Sequence, residues 1–179
     1  MKGRTLLCAG LLLCAACGST PPPAAGPGGA PPLAGTSTRG GRFDLGELAG
    51  GPALLLFVRG SYCPLCQARL QALAAYAGAY EDAGVRVVAV TLDAPATAQA
   101  TAHELRLPFP LVSVDPATFQ RWGLRPAGEP RPRPGDFVLD ATGRVRYARV
   151  GADAADRPSD VALLGVLDSL RAAGALPPR

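Results

Sequence analysis

The sequence predicts an α/β fold, a central mixed sheet flanked by helices. Three observations carry that reading. Apolar runs at 53–58 and 85–92 have the length and composition of strands buried on both faces. A helical pattern follows each of them, and alternating strand and helix builds parallel pairs. A late pair of strands, 136–140 and 144–150, is joined through Ala141-Thr142-Gly143, a hairpin signal that adds antiparallel strands.

The chain has 179 residues and is 48% hydrophobic, enough for one domain with its own core. Residues 1–16 read as an export signal: Lys2 and Arg4 open it, Leu6 to Leu13 is apolar, and small residues follow. The apolar run is too short for a permanent membrane span. Cys14-Ala15-Ala16-Cys17-Gly18-Ser19 resembles a bacterial lipoprotein processing box. The resemblance implies cleavage before Cys17, lipid on its sulfur and an envelope protein facing the periplasm; a plain secretory signal is the other reading. Residues 17–41 are rich in Pro, Gly, Ala, Ser and Thr without apolar period, so they read as a tether. The folded domain is expected over 42–179.

Phe43 to Leu48 alternates and leads, through Gly50-Gly51-Pro52, into the buried strand Ala53–Val58. Pro64 suits the first position of a helix running to about Tyr80, with Leu70, Leu73, Ala77 and Tyr80 on its inner face and Gly84 beyond its end. Val85 to Leu92 is the second buried strand. Asp93 is placed to cap a helix from Pro95 to Leu105. Leu107-Pro108-Phe109-Pro110 breaks that helix, and Leu111–Val114 is a short strand. Asp115-Pro116 opens a short helix ending at Gly123. Arg125 to Gly135 holds four prolines and is irregular. The hairpin follows, its second strand at the sheet's edge. Ser159 or Asp160 starts a last helix with Leu163, Leu164, Leu167 and Leu170 on one face.

The net charge is +4, part of it in the leader, and aromatic residues are 6%. Neither a basic surface nor a stacking platform for nucleic acid follows from that. Of five cysteines, Cys8 and Cys14 leave with the signal and Cys17 is the lipidation candidate, so the domain keeps Cys63 and Cys66. A structural zinc site needs four ligands, and this pair has only the distant His103 beside it. Covalent haem needs His after the second cysteine, where Gln67 stands. An inert disulfide across so small a loop removes little chain entropy. Redox chemistry remains: a thiol at the first turn of a helix sees unpaired N–H groups and the positive end of the peptide dipoles, which favour thiolate. His103, alone in a helix, reads as a solvated surface residue.

Arg59-Gly60-Ser61-Tyr62-Cys63-Pro64-Leu65-Cys66-Gln67-Ala68-Arg69-Leu70 resembles the Arg-Gly-x-Trp-Cys-Pro-x-Cys-Arg-x-x-Leu signature of peroxiredoxin-like proteins. These form the alkyl hydroperoxide reductase/thiol-specific antioxidant branch of the thioredoxin superfamily. Leu107-Pro108-Phe109-Pro110-Leu111-Val112-Ser113 and Trp122-Gly123-Leu124 are similar to that branch's middle segment. Phe137-Val138-Leu139-Asp140 with Gly143-Arg144-Val145 is similar to the closing hairpin shared with periplasmic thioredoxin-like reductases. The resemblance covers nearly everything after Phe43. It implies a thioredoxin-like fold with its active Cys-x-x-Cys at a strand-to-helix junction. Two positions differ: where peroxidases of the branch carry Thr stands Gly60 if Cys63 attacks, or Cys63 itself if Cys66 does, and Pro134 stands where they carry Arg. Pro134 falls instead where thioredoxin-like reductases have a cis-proline, so a cis bond is predicted there.

The expected mechanism has Cys63 as nucleophile and Cys66 as resolving thiol, the two closing an internal disulfide. Arg59 is expected to add positive potential at the thiolate, and Pro134 to position substrate. No metal or organic cofactor is expected, only an external thiol donor of thioredoxin type. The substrate is a peroxide or, in the alternative, a protein disulfide; a binding module on the same fold is a third reading.

Overall fold

The computed structural model describes residues 29–178. The export signal, Cys17 and the tether up to residue 28 lie outside the described residues. The elements are β1 (Ala34–Ser37), β2 (Arg42–Asp44), a 3-10 turn (Leu45–Leu48), β3 (Ala53–Phe57), α1 (Pro64–Ala75), α2 (Ala77–Asp82), β4 (Arg86–Thr91), α3 (Pro95–Glu104), β5 (Leu111–Ser113), α4 (Pro116–Arg121), β6 (Gly135–Leu139), β7 (Val145–Val150) and α5 (Asp160–Ala172). Among the described residues, the strands form one seven-stranded sheet in the order β2-β1-β5-β4-β3-β6-β7. β3 pairs parallel to β4 and β4 to β5, while β6 is antiparallel to β3 and to β7.

β3 lies fifth in that order and is buried along its whole length. Its side chains alternate between two cores, as the two-residue period of a strand requires. Leu54 and Leu56 face Cys66, Leu70 and Leu73 of α1, Tyr80 of α2, and Leu163 and Leu167 of α5. Leu55 and Phe57 face Phe119, Trp122 and Phe137. There Phe57 is boxed by three rings, with centroids 5.3 Å away for Phe119, 5.0 Å for Trp122 and 5.4 Å for Phe137. Two of these contacts are edge-to-face and the one with Trp122 is tilted; together they add to burial and fix the end of β3, from which the cysteine loop departs.

Four expectations are corrected. The tether read as 17–41 overlaps β1, which pairs with β2 and β5. One of its glycines serves close packing: a Cβ on Gly35 would lie 2.1 Å from the Ser113 carbonyl oxygen, so only glycine lets β1 approach β5. The helix read from Pro64 to Tyr80 is two helices, with Tyr76 at φ −99°, ψ 4° between them. The bend carries the Tyr80 hydroxyl to Asp160, to which it donates at 2.9 Å. Asp93 does not cap α3; Ala94 holds the cap position without a side-chain bond. Finally, no peptide bond among the described residues is cis, so the bond before Pro134 is trans. The close backbone approach at that point is made by glycines instead. Pro134 accepts from the Gly151 N–H at 3.0 Å, and a Cβ on Gly135 would lie 2.7 Å from both Leu124 and Phe137. A trans bond is the lower-energy form, and glycine removes the need for the alternative.

Candidate active site

β3 ends at Phe57, and Val58 continues its direction, donating to the Val90 carbonyl at 2.9 Å. The chain then turns through Arg59–Tyr62 and enters α1 with Cys63 at the N-cap and Pro64 at the first helical position. The Cys63 carbonyl accepts from the N–H groups of Cys66 at 2.9 Å and Gln67 at 3.1 Å. Both thiols are free and face the core shared by β3 and α1. Cys63 is 4% exposed and Cys66 is 2% exposed. Cys63 is flanked in sequence by the exposed side chains of Tyr62 and, two residues on, Leu65.

The two thiols are electrostatically unlike. Burial opposes ionisation of Cys63, but a hydrogen bond from the Cys66 thiol, the Cys66 backbone N–H and the Arg59 guanidinium outweigh it. The Cys63 thiol therefore lies below its ordinary range. Arg59 Nη2 stands 3.6 Å from Cys63 Sγ. Burial pushes the Cys66 thiol up, and its bond to Cys63 adds to that; the Arg59 and Gly60 N–H groups oppose it. One sulfur is prepared as thiolate and the other as thiol, the asymmetry an attacking and a resolving cysteine need.

Of the residues singled out from sequence, Cys63, Cys66 and Arg59 come together. Pro134 is buried just before β6, whose Gly135 is paired with Phe57, so it shares the sheet end from which the cysteine loop leaves. Its ring lies against Gly151, where a Cβ would come within 3.0 Å of it. His103 is exposed near the end of α3. Among the described residues, no group of three or more His, Cys, Asp or Glu side chains converges to hold a metal ion.

Sequence reasoning missed a set of buried charges behind the site. Arg157 donates to the Phe57 carbonyl at 2.8 Å, to the Gly135 carbonyl at 3.2 Å and to Asp136 Oδ1 at 3.0 Å. It joins the last residue of β3 to the first two of β6. Arg69, one turn after Cys66, donates to Asp160 at 2.6 Å. The available signal was Asp136 inside an otherwise apolar strand, since a charge there needs a partner. Asp93 and Gln67 were missed as site residues too. Both bind the Ser61 backbone, Asp93 Oδ2 accepting from its N–H at 2.7 Å and Gln67 donating to its carbonyl at 2.6 Å.

A mixed sheet with paired thiols at a strand-to-helix corner, one of them prepared as thiolate, defines a thiol-dependent oxidoreductase of thioredoxin-like fold. Its family follows from the sequence match: the chain belongs to the AhpC/TSA family, whose model covers residues 28–148. No curated protein sequence is detectably similar. Among solved structures, Xanthomonas campestris peroxiredoxin Q is similar over 79% of this chain and 91% of its own, with TM-score 0.66 and 20% identity. Enterococcus faecalis AhpC matches 82% of this chain and 93% of its own, with TM-score 0.71 and 13% identity. Reduced Plasmodium vivax 2-Cys peroxiredoxin matches 82% of this chain and 81% of its own, with TM-score 0.72 and 16% identity. At these identities the likeness is one of fold.

Proposed function

We propose that the protein is an extracytoplasmic thiol peroxidase that cycles Cys63 and Cys66 between dithiol and disulfide. The observation that carries the reading is the Arg59 guanidinium 3.6 Å from a Cys63 sulfur already biased toward thiolate. Cys63 S⁻ attacks one oxygen of ROOH; the O–O bond breaks, the sulfur is oxidised to sulfenic acid, and the other oxygen leaves and is protonated to ROH. The Cys66 sulfur then attacks the Cys63 sulfur, forming the disulfide and releasing water. An external dithiol of thioredoxin type returns the pair to the reduced state and is itself oxidised to a disulfide. Arg59 holds the thiolate before attack and offers a positive charge to the departing oxygen.

The near-complete burial of Cys63 favours a peroxide, a small molecule that needs only one oxygen to reach the sulfur. A protein disulfide must bring its own sulfur to bonding distance of a residue that is only 4% exposed. The reductase reading keeps one observation in its favour: Gly60 offers no hydroxyl to a bound peroxide, where peroxidases of the family carry Thr. Comparison with neighbours supports the donor class. The yeast mitochondrial 1-Cys peroxiredoxin, similar with TM-score 0.71 and 13% identity, is described as resolved through glutathione/thioredoxin systems. The processing box at Cys17 and the linker-like residues after it support a lipid-anchored, periplasm-facing position.

Stopped-flow reaction of the reduced protein with hydrogen peroxide, and separately with an oxidised model protein, tests the substrate. Saturable, fast loss of peroxide that disappears in Cys63→Ser is expected. Faster reduction of the protein disulfide would replace the peroxidase reading by the reductase one. Membrane fractionation of wild type and Cys17→Ser tests the anchor, with release of the variant from the membrane as the expected outcome.

A further inference from the structure

We propose that Asp93 and Gln67 are positioning residues that lock the Gly60–Ser61 turn and so hold Cys63 against the Arg59 guanidinium. The proposal rests on Cys63 being the attacking sulfur.

The turn has little of its own to hold it. Gly60 sits at φ +146°, a conformation that L side chains rarely adopt, and glycine left free explores many others. No side chain fits at this position. A Cβ would come within 2.8 Å of Asp93 Oδ1 and 2.7 Å of the Tyr62 ring. The order of the turn is supplied by two groups on separate rigid elements. Asp93, two residues past β4, accepts from the Ser61 N–H at 2.7 Å. Gln67, in the first turns of α1, donates through Nε2 to the Ser61 carbonyl at 2.6 Å. Both peptide groups of Ser61 are thereby fixed, one to the sheet and one to the helix that carries the cysteines. The next link is local: the Cys63 N–H donates to the Gly60 carbonyl at 3.2 Å.

Asp93 is itself held in place. Thr91 Oγ1 donates to Asp93 Oδ2 at 3.0 Å and accepts from the Asp93 N–H at 3.1 Å, and the Ser113 hydroxyl donates to the Asp93 carbonyl. The carboxylate is also withheld from the role its sequence position suggests. α3 begins two residues later with Pro95, after an Ala94 cap that makes no side-chain bond. An acidic residue beside an uncapped helix start that instead reaches across to the turn before Cys63 points to the turn as its purpose.

Thiolate formation at Cys63 depends on the short contacts from Arg59 and Cys66, which face it from the turn and from α1. A turn free to rotate at Gly60 lengthens the Arg59 contact, and charge-assisted bonds weaken steeply with distance and angle. Asp93 and Gln67 therefore act on the chemistry through Arg59 and Cys63 without touching substrate.

The test is the pH dependence of Cys63 alkylation by iodoacetamide in the reduced full-length protein, for Asp93→Ala, Asp93→Asn and Gln67→Ala. Asp93→Ala and Gln67→Ala should each move the midpoint upward, slowing alkylation by about tenfold for each pH unit of displacement at pH values well below the midpoint. Asp93→Asn keeps an oxygen that accepts from Ser61 and Thr91, and should restore most of the wild-type profile. Gln67→Ala keeps the test interpretable if Asp93→Ala unfolds, because alanine favours the helix at this half-buried site and leaves only the Ser61 bond missing. Wild-type profiles in folded Ala variants would overturn the proposal. So would Asp93→Asn behaving like Asp93→Ala, since the oxygen that asparagine keeps for Ser61 and Thr91 would then not be what holds the turn. If Cys63→Ser kept peroxide turnover, the attacking role would fail, while the alkylation profiles would still report on the lock.

Discussion

Arg69 and Asp160 stand 91 residues apart in sequence and meet at 2.6 Å, almost fully buried. One lies on the helix that carries the cysteines; the other is the first residue of the last helix. The Tyr80 hydroxyl completes the carboxylate's shell at 2.9 Å, and burial together with that carboxylate pushes the hydroxyl's pKa up, so it stays a donor. Arg69 Nη2 lies 3.9 Å from Asp136, which also pairs with Arg157 at 3.0 Å. Two arginines and two aspartates thus neutralise one another beneath the redox helix. The arrangement fixes the depth and rotation of α1, and with it the distance from Cys66 to the end of β3.

Buried pairs add little net stability over an apolar substitute, but removing one partner strands the other. Arg69→Ala should therefore cost about 3–5 kcal/mol in urea unfolding. Combining Arg69→Met with Asp160→Leu should cost clearly less than the two single changes summed, because neither charge is then left alone. A near-zero cost for Arg69→Ala would show that α1 is held by its apolar face only.

The Cys63 thiol is held below its ordinary range because the bonds from Cys66 and Arg59 outweigh the effect of burial. Below its midpoint the sulfur is protonated and inert; above it the thiolate reacts. The rate of peroxide consumption should therefore rise with pH to a plateau whose midpoint lies under that of a free thiol. Arg59→Met should move that midpoint upward and slow the reaction most at acidic pH, as followed by thiolate absorbance and stopped-flow rates. An unchanged midpoint would mean that Arg59 is a solvated charge.

Much of this site was legible before any coordinates. Pro64 after Cys63, on an apolar strand and before a leucine-rich helix, encodes the corner by local chemistry alone. Local patterns also gave β3, β4, the closing hairpin and α5, since each carries its period in a short window. Long-range partners were hidden. Nothing in the local sequence tells Asp93 that its carboxylate serves Ser61, 32 residues earlier, in preference to the helix beside it. Arg157 reads as a loop charge until Phe57, 100 residues away, presents a carbonyl to it. Gly35 looked like linker because the clash that demands glycine comes from Ser113, on a strand not adjacent in sequence. Pro134 shows the opposite failure, where a familiar position suggested a cis bond that the neighbouring glycines make unnecessary.

Burial and the neighbouring Cys63 push the Cys66 thiol up, which suits it to the resolving step of the proposed cycle. In Cys66→Ser the Cys63 sulfenic acid should persist and be trapped by dimedone, as read by intact mass. Wild type treated with one equivalent of peroxide should lose two thiols and gain almost no dimedone. Equal labelling of both proteins would mean that Cys66 does not resolve Cys63.

The tightest hairpin contacts predict where acid attacks the fold. Desolvation raises the Asp140 pKa, but bonds from the Thr142 hydroxyl, the Arg144 N–H and the Arg146 guanidinium outweigh it, leaving a value of about 2 against an ordinary 3.8. The Thr142 hydroxyl donates at 2.6 Å, the Arg144 N–H at 3.0 Å and Arg146 Nε at 2.6 Å, and together they close the turn between β6 and β7. The folded value lies below the unfolded one, so ionised Asp140 stabilises the fold above the unfolded value. That contribution is lost as pH falls from 3.8 through about 2. Thermal melts across this range should show wild type losing more stability than Asp140→Asn, whose curve stays flatter but starts lower. At neutral pH the substitution should cost about 1–3 kcal/mol, the penalty for bonds to a charge removed from a buried site. Parallel curves for the two proteins would place the acid transition elsewhere, with the buried carboxylate of Asp136 the next to test.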